Sequence, residues 1–223
     1  MNLTRLRLAC ATALTGLIAA VLAFPICNAA YWRDDRHLAA DPNVSRLVQA
    51  IMEADGRQAR RLLDLCGTDL NALDARGIPP LAHAIAVHGH PGGESLAQLL
   101  IDHGADVNRA DSFGHTPLMW DASFGDANLT EVLLREGADV RARRPDGTSV
   151  LHVAVHSEAD PDVVRLLLAA GAEPAARDRE GKTPADYARA AGLTQLVKLL
   201  DAATPQITAT HQLHPAARRN GRF

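Results

Sequence analysis

Along most of this chain, apolar residues recur at three- and four-residue spacing, in segments separated by turns rich in Gly and Asp. Leu47, Val48, Ile51 and Met52 trace one face of a helix over Ser45–Glu53, because residues three and four apart share a helix face. A break at Asp55-Gly56 precedes a second helix, Gln58–Leu65, which ends at Gly67. The pair then returns with an opening turn added. Asp74-Ala75-Arg76-Gly77 opens a unit that closes at Gly104-Ala105-Asp106, and Asp111-Ser112-Phe113-Gly114 opens one that closes at Gly137-Ala138-Asp139. Pro145-Asp146-Gly147 leads to Gly171-Ala172-Glu173, and a last unit runs from Asp178-Arg179-Glu180-Gly181 to Leu199-Leu200 without a closing glycine.

The opening glycines 77, 114, 147 and 181 are spaced by 37, 33 and 34 residues, and the closing glycines 104, 137 and 171 by 33 and 34. Self-similarity at a fixed period predicts a stack of repeats, in which one helix pair cannot bury its apolar face alone and depends on its neighbours. Leu99-Leu100, Leu133-Leu134 and Leu166-Leu167-Leu168 supply that face on the second helices. Thr116 and Thr183 are placed to cap first helices, with Pro117 and Pro184 in the first turn, where a missing N–H costs nothing.

Gly114-His115-Thr116-Pro117-Leu118, Gly137-Ala138-Asp139-Val140 and Leu151-His152-Val153-Ala154 resemble the ankyrin repeat, a unit of about 33 residues with a T-P-L-H-x-A signature. The resemblance covers residues 44–203. It implies an all-α ankyrin-repeat solenoid of about five helix-turn-helix units with β-turn fingers, near 44–73, 74–110, 111–143, 144–177 and 178–203. The chain departs from the pattern in places. Met119 replaces the signature His, Pro79 a capping Thr, and Ser149-Val150 a Thr-Pro pair. Asp121 stands where the family carries a small residue, and a carboxylate there needs a turn N–H or a hydroxyl, or it costs several kcal/mol.

The resemblance further implies a non-enzymatic module, monomeric and without a cofactor, that holds a protein on a concave surface of turn tips and first helices. Carried over by position, that surface takes Ala75, Arg76 and Ile78 from the second unit and Ser112, Phe113, His115, Ser123 and Phe124 from the third. The fourth contributes Asp146, Thr148 and His156, and the fifth Arg179, Glu180 and Lys182. Phe113 and Phe124 stand out because aromatic residues make up only 4% of the chain. Trp120 is expected half-buried between helices. His152 occupies the place of the family histidine that ties a turn to the next repeat.

Charge and chemistry narrow the picture. A net charge of −3 does not suit phosphate neutralisation, which needs clustered Lys and Arg, so nucleic acid is not the expected partner. The segment 204–223 carries Arg218, Arg219 and Arg222, no acid and no periodicity, and reads as a disordered basic tail. Neither a Gly-rich phosphate cradle nor a nucleophile elbow appears. His83, His88 and His90 could ligate zinc or copper, although no Cys or acid completes the set at familiar spacing; a metal-binding envelope protein is the alternative reading. Cys66, among leucines, reads as a buried thiol.

The first 30 residues read as an export leader or anchor. Arg5 and Arg7 precede an uncharged run, Leu8–Phe24, and Ala29-Ala30 offers small residues for cleavage. As a helix that run spans about 26 Å, so release by cleavage and retention as a single anchor both remain open. Either places the body, after a polar lead-in over residues 31–43, outside the cytoplasm: periplasmic, secreted, or held at the inner membrane.

Overall fold

Helices follow one another in antiparallel pairs through the described residues, which in this computed structural model are 42–64, 68–87 and 93–211. The first helices are α1 (Pro42–Met52), α3 (Pro80–Ala86), α5 (Pro117–Phe124), α7 (Val150–His156) and α9 (Pro184–Ala190). The second helices are α2 (Gly56–Leu63), α4 (Gly93–Asp102), α6 (Ala127–Arg135), α8 (Pro161–Ala169) and α10 (Thr194–His211). All belong to one folding unit, His37–Phe223. The leader, residues 31–41 of the lead-in, Cys66, His88, His90 and the arginines near the C-terminus lie outside the described residues, and the last two lead-in residues, Pro42 and Asn43, open α1.

Local chemistry starts each helix. Thr116 Oγ1 accepts the Met119 N–H at 3.3 Å. Thr183 and Asp186 cap reciprocally: the Thr183 N–H donates to Asp186 Oδ2 at 2.9 Å, and the Asp186 N–H to Thr183 Oγ1 at 3.3 Å. Three of the second helices, α2, α6 and α8, start on aspartates. Asp55, Asp126 and Asp160 each accept backbone N–H groups of the following turn, satisfying donors that a helix N-terminus leaves without partners.

Packing is between neighbours. The first helices form one row, α1–α3–α5–α7–α9, and second helices pack α2 on α4, α6 on α8 and α8 on α10. Leu81, Ile85, Leu118, Met119 and Leu151 from the first row meet Leu96, Leu100, Leu133 and Leu167 from the second, all fully buried. Burying each such side chain contributes about 1.5–3 kcal/mol, spread along the stack rather than held in one centre. Among the described residues there is no strand, and a single antiparallel bridge, Arg143 to Ser149, marks one turn. No helix among them is long and apolar enough to cross a membrane.

One expectation needs correction. Residues 204–211, expected within a disordered tail, are helical, because α10 continues to His211; the rest of that expected tail lies outside the described residues. Thr204 Oγ1 donates to the Leu200 carbonyl at 2.8 Å. A helix already nucleated gains one bond per added residue, and Pro205 removes only the rung that Asp201 would have accepted.

Candidate partner-binding face

Each turn between units forms a finger, and three of the four described fingers are built the same way. Asp74 Oδ1 accepts the N–H groups of Arg76 and Ile78, both at 2.9 Å. Asp111 Oδ1 accepts those of Phe113 and His115 at 2.9 Å, and Asp178 Oδ1 those of Glu180 at 2.9 Å and Lys182 at 3.0 Å. The second carboxylate oxygen faces a donor nine residues on, in the following helix: His83 Nε2 at 2.9 Å, Trp120 Nε1 at 3.0 Å and Tyr187 Oη at 2.6 Å. Every such finger is clasped to its own first helix through one carboxylate. Burial by itself raises these carboxyls, but the donors outweigh it and hold Asp74, Asp111 and Asp178 below the usual carboxylate range.

The fourth unit lacks both halves of the clasp, with Arg144 in place of the acid and Val153 in place of the donor. Its finger closes through Asp146, whose Oδ1 accepts the Thr148 N–H at 3.0 Å. Arg144 reaches Asp146 at 3.4 Å and also donates from Nε to the Phe113 carbonyl at 3.4 Å. The second contact has a backbone cause. Elsewhere a finger N–H bonds the previous finger, Ser112 to the Gly77 carbonyl and Arg179 to the Asp146 carbonyl, each at 2.8 Å. Pro145, at that place in the fourth finger, has no N–H to give, and the Arg144 guanidinium supplies a donor instead.

The residues expected on the binding face divide by exposure. Ser112, Phe113, Phe124, His156, Arg179, Glu180, Lys182 and Ala75 are exposed, while Arg76, Ser123, Asp146 and Thr148 are half-buried. Ile78, 4% exposed, and His115, 8% exposed, are corrections, since both are interior. The backbone at this place is the same in all three fingers, its N–H going to the finger carboxylate, and the apolar Ile78 and the His115 ring fold under the finger where the charged Lys182 stays in solvent. His115 Nδ1 lies 3.2 Å from Asp111 Oδ2, and its ring sits 5.9 Å from that of Trp120. Lys182, at the same place in the fifth unit, leans outward with Nζ 5.3 Å from the Tyr187 ring centre.

Among the described residues, Phe113 at 48% and Phe124 at 36% are the large hydrophobic side chains left exposed. Phe124 lies stacked on the half-buried Trp120, ring centres 6.5 Å apart and planes within 18°. The third unit therefore presents an aromatic shelf on its first helix and a phenyl ring on its finger. His83, considered for a metal, is buried at Asp74, and no group of three potential ligands that could hold a metal occurs among the described residues. His152 makes the expected link between units: its Nδ1 accepts the Ser149 N–H at 3.2 Å, and its Nε2 donates to the Lys182 carbonyl at 3.1 Å. Burial lowers its pKa, the neutral form that this pair of bonds requires.

The sequence family described as ankyrin repeats in three copies matches residues 47–144 and, in a second register, residues 118–211. The chain belongs to the ankyrin-repeat family. Ankyrin repeats are modules of protein–protein interaction, and the finger and first-helix surface described above is where this chain offers its exposed aromatics. Its relatives include the E3 ubiquitin-protein ligase Ufd4 of Drosophila melanogaster, 40% identical over 96 residues, covering 43% of this chain and 3% of that protein. An ankyrin repeat, SAM and basic leucine zipper domain-containing protein of Nomascus leucogenys is 38% identical over 110 residues, covering 48% of this chain and 23% of that one. An ankyrin repeat-containing protein of Treponema pallidum is 34% identical over 117 residues, 52% of this chain and 38% of the other. The ankyrin chain thus spans well under half the length of these curated relatives, and the ligase activity named for one of them belongs to that protein.

Proposed function

We propose that this ankyrin-repeat chain is a non-enzymatic binding protein that holds a protein partner on the finger and first-helix face, centred on its third unit. The observation that carries this reading is the aromatic shelf. Trp120 and Phe124 stack on one helix and Phe113 stands on the adjacent finger, with Arg76, Arg144 and Arg179 on the fingers around them. Exposed aromatic rings with arginine neighbours are the side chains that dominate binding energy at protein interfaces. The partner's role for this chain is that of an enzyme it inhibits, in the manner of an immunity protein, or a complex it scaffolds.

The site of action proposed is the bacterial cell envelope, outside the cytoplasm. Support comes from Arg5 and Arg7 ahead of Leu8–Phe24 and from the scarcity of lysine, with Lys182 and Lys198 the only two in the chain. The relatives named above come mainly from animals, so this part rests on the leader and the lysine usage of this chain. N-terminal sequencing of the exported protein tests it, a start near Ala30 or Tyr31 being the result expected for release. The binding face is tested by co-purification from the native host with wild type and the Phe113→Ala/Phe124→Ala double variant. The double variant is expected to lose the partner while keeping its unfolding midpoint, and equal recovery by both proteins would remove this face from consideration.

A further inference from the structure

Asp121 lies on α5 beside Trp120 and is fully buried. The same place holds Ala84, Ala154 and Ala188 in the other units, and the place of its partner Thr130 holds Ala97 and Val164. Acid and hydroxyl thus enter the chain together, at two facing positions that are apolar elsewhere. Thr130 Oγ1 lies 2.5 Å from Asp121 Oδ2 and 2.9 Å from the Asp126 carbonyl oxygen. A hydroxyl has one proton to donate. If Asp121 were ionised, both neighbours would be acceptors, and one of the two close oxygen pairs would have no hydrogen between them. A neutral acid resolves the conflict: Asp121 donates to Thr130, and Thr130 donates to the Asp126 carbonyl. Asp121 Oδ1, which has no hydrogen-bond partner, is then the carbonyl oxygen of an acid rather than part of a buried charge, whose desolvation is far more costly.

Among the described residues, no cation offsets that charge. The helices packed against α5 are α3, α6 and α7. On α3, His83 faces Asp74. On α7, His152 is held between Ser149 and Lys182, and His156 is exposed. On α6, Glu131 and Arg135 are exposed, and the cap Asp126 adds a negative charge close by. Burial pushes the Asp121 carboxyl up to about 7, the Thr130 bond pulling it back and the Asp126 charge adding to the rise.

We propose that Asp121 is a neutral carboxylic acid in the folded stack, and that the proton it holds is a pH-sensitive device, keeping the third unit tight and its partner bound in acid surroundings and letting both loosen as the surroundings approach neutrality. The effect on binding rests on the face proposed above; the state of the acid does not. The sign follows from linkage. Because the folded-state carboxyl titrates above the unfolded one, the folded chain keeps a proton that the unfolded chain has lost between about pH 4 and pH 7. Stability from this group is therefore highest at acid pH, falls through that window, and levels off above it. The folding equilibrium constant should drop roughly a hundredfold between pH 5 and pH 8 on this account.

The test is a carboxyl-carbon NMR titration of Asp121 in the full chain, joined to urea unfolding of wild type and Asp121→Asn at pH 5 and pH 8. Asparagine keeps a donor to Thr130 and carries no charge. The expected results are a titration midpoint near neutrality and a variant that gains on wild type roughly a hundredfold from pH 5 to pH 8. Backbone amide exchange, corrected for its intrinsic pH dependence, is expected to show α5 losing protection over this range relative to α7. A midpoint below pH 5 overturns the proposal even if the variant fails to fold, and equal protection changes in α5 and α7 overturn its confinement to the third unit. Failure of the binding face is read separately, from the Phe113→Ala/Phe124→Ala result at one pH.

Discussion

The third and fourth units lie side by side with nearly the same backbone path, yet they meet its requirements with different side chains. In the third, the finger is clasped by Asp111 and Trp120, and the interior carries Asp121 with Thr130. In the fourth, Arg144 and Asp146 close the finger, Val153 replaces the ring donor, and Ala154 and Val164 fill the interior. Substitutions come in sets because each removes or creates a partner. An acid clasping a finger needs a donor nine residues on, and a buried acid needs a hydroxyl, since a polar group left buried without a partner costs about 1–3 kcal/mol. What the repeat holds constant is therefore a backbone requirement rather than a residue, and the third unit is the copy that spends its side chains on chemistry the fold does not demand.

A single glycine at the junction between these two units should break the contact between their fingers. Gly114 has a φ of 84°, and a Cβ built there falls 2.6 Å from Pro145 Cδ on the next finger. Gly114→Ala should cost about 2–4 kcal/mol, combining a left-handed alanine with a collision that must move the Pro145 ring. Gly137→Ala is the control, with a φ of 91° and no atom within 4 Å of the added Cβ; only the backbone term of about 1–2 kcal/mol applies to it. Urea unfolding of both variants measures the difference. Equal losses would mean that finger-to-finger contact adds nothing at this junction.

A smaller change separates the clasped finger from its neighbour. Trp120→Phe keeps an aromatic ring against Phe124 but removes the N–H that Asp111 accepts. The expected loss is about 1–2 kcal/mol at pH 7, since the acceptor is charged. The Asp111 carboxyl is depressed on folding, burial opposing and the His115 and backbone donors prevailing. Its contribution is therefore present above the unfolded value near 4 and lost as pH falls through the folded one. The Trp120→Phe penalty should accordingly shrink at pH 3. A penalty of the same size at both pH values would detach the Asp111 charge from the clasp.

The parts of this architecture that local backbone chemistry dictates were legible in the sequence. The glycine rulers, the Thr116-Pro117 and Thr183-Pro184 starts and the leucine pairs each follow from residues a few positions apart, and the helices sit where they point. The inter-unit bond of His152 followed from the family resemblance. The interior place of Ile78 and His115 is not given by carrying over a position, because the same backbone site turns an apolar or ring side chain inward and the charged Lys182 outward. The clasp is written in the chain only as a spacing of nine, Asp74 with His83, Asp111 with Trp120 and Asp178 with Tyr187, which matches neither the helical period nor the repeat length. For Asp121 a hydroxyl was among the expected partners, but the Asp126 carbonyl on the far side of Thr130 depends on how two helices meet.

The smallest expected effect concerns how the two first helices end. In the third unit, Gly125, with a φ of 78°, returns its N–H to the Asp121 carbonyl at 2.9 Å and the chain turns at once into α6. In the fourth, Glu158 takes the left-handed conformation at a φ of 54°, its N–H bonding the Val155 carbonyl at 3.1 Å and that of Ala159 the Ala154 carbonyl at 2.9 Å. Two bonds in that pattern close a helix with one more residue than the single bond does, which accounts for the extra Ala159, buried under the turn. The second helices use the same two-bond ending with Gly104, Gly137 and Gly171 at the left-handed place. Glutamate there costs about 1–2 kcal/mol of backbone strain, partly offset because glycine loses more freedom on folding. Glu158→Gly should therefore raise the unfolding free energy by about 0.5–1 kcal/mol in urea titrations. A loss instead would mean that the Glu158 side chain, exposed beside His156 on the first-helix face, holds the turn through contacts of its own.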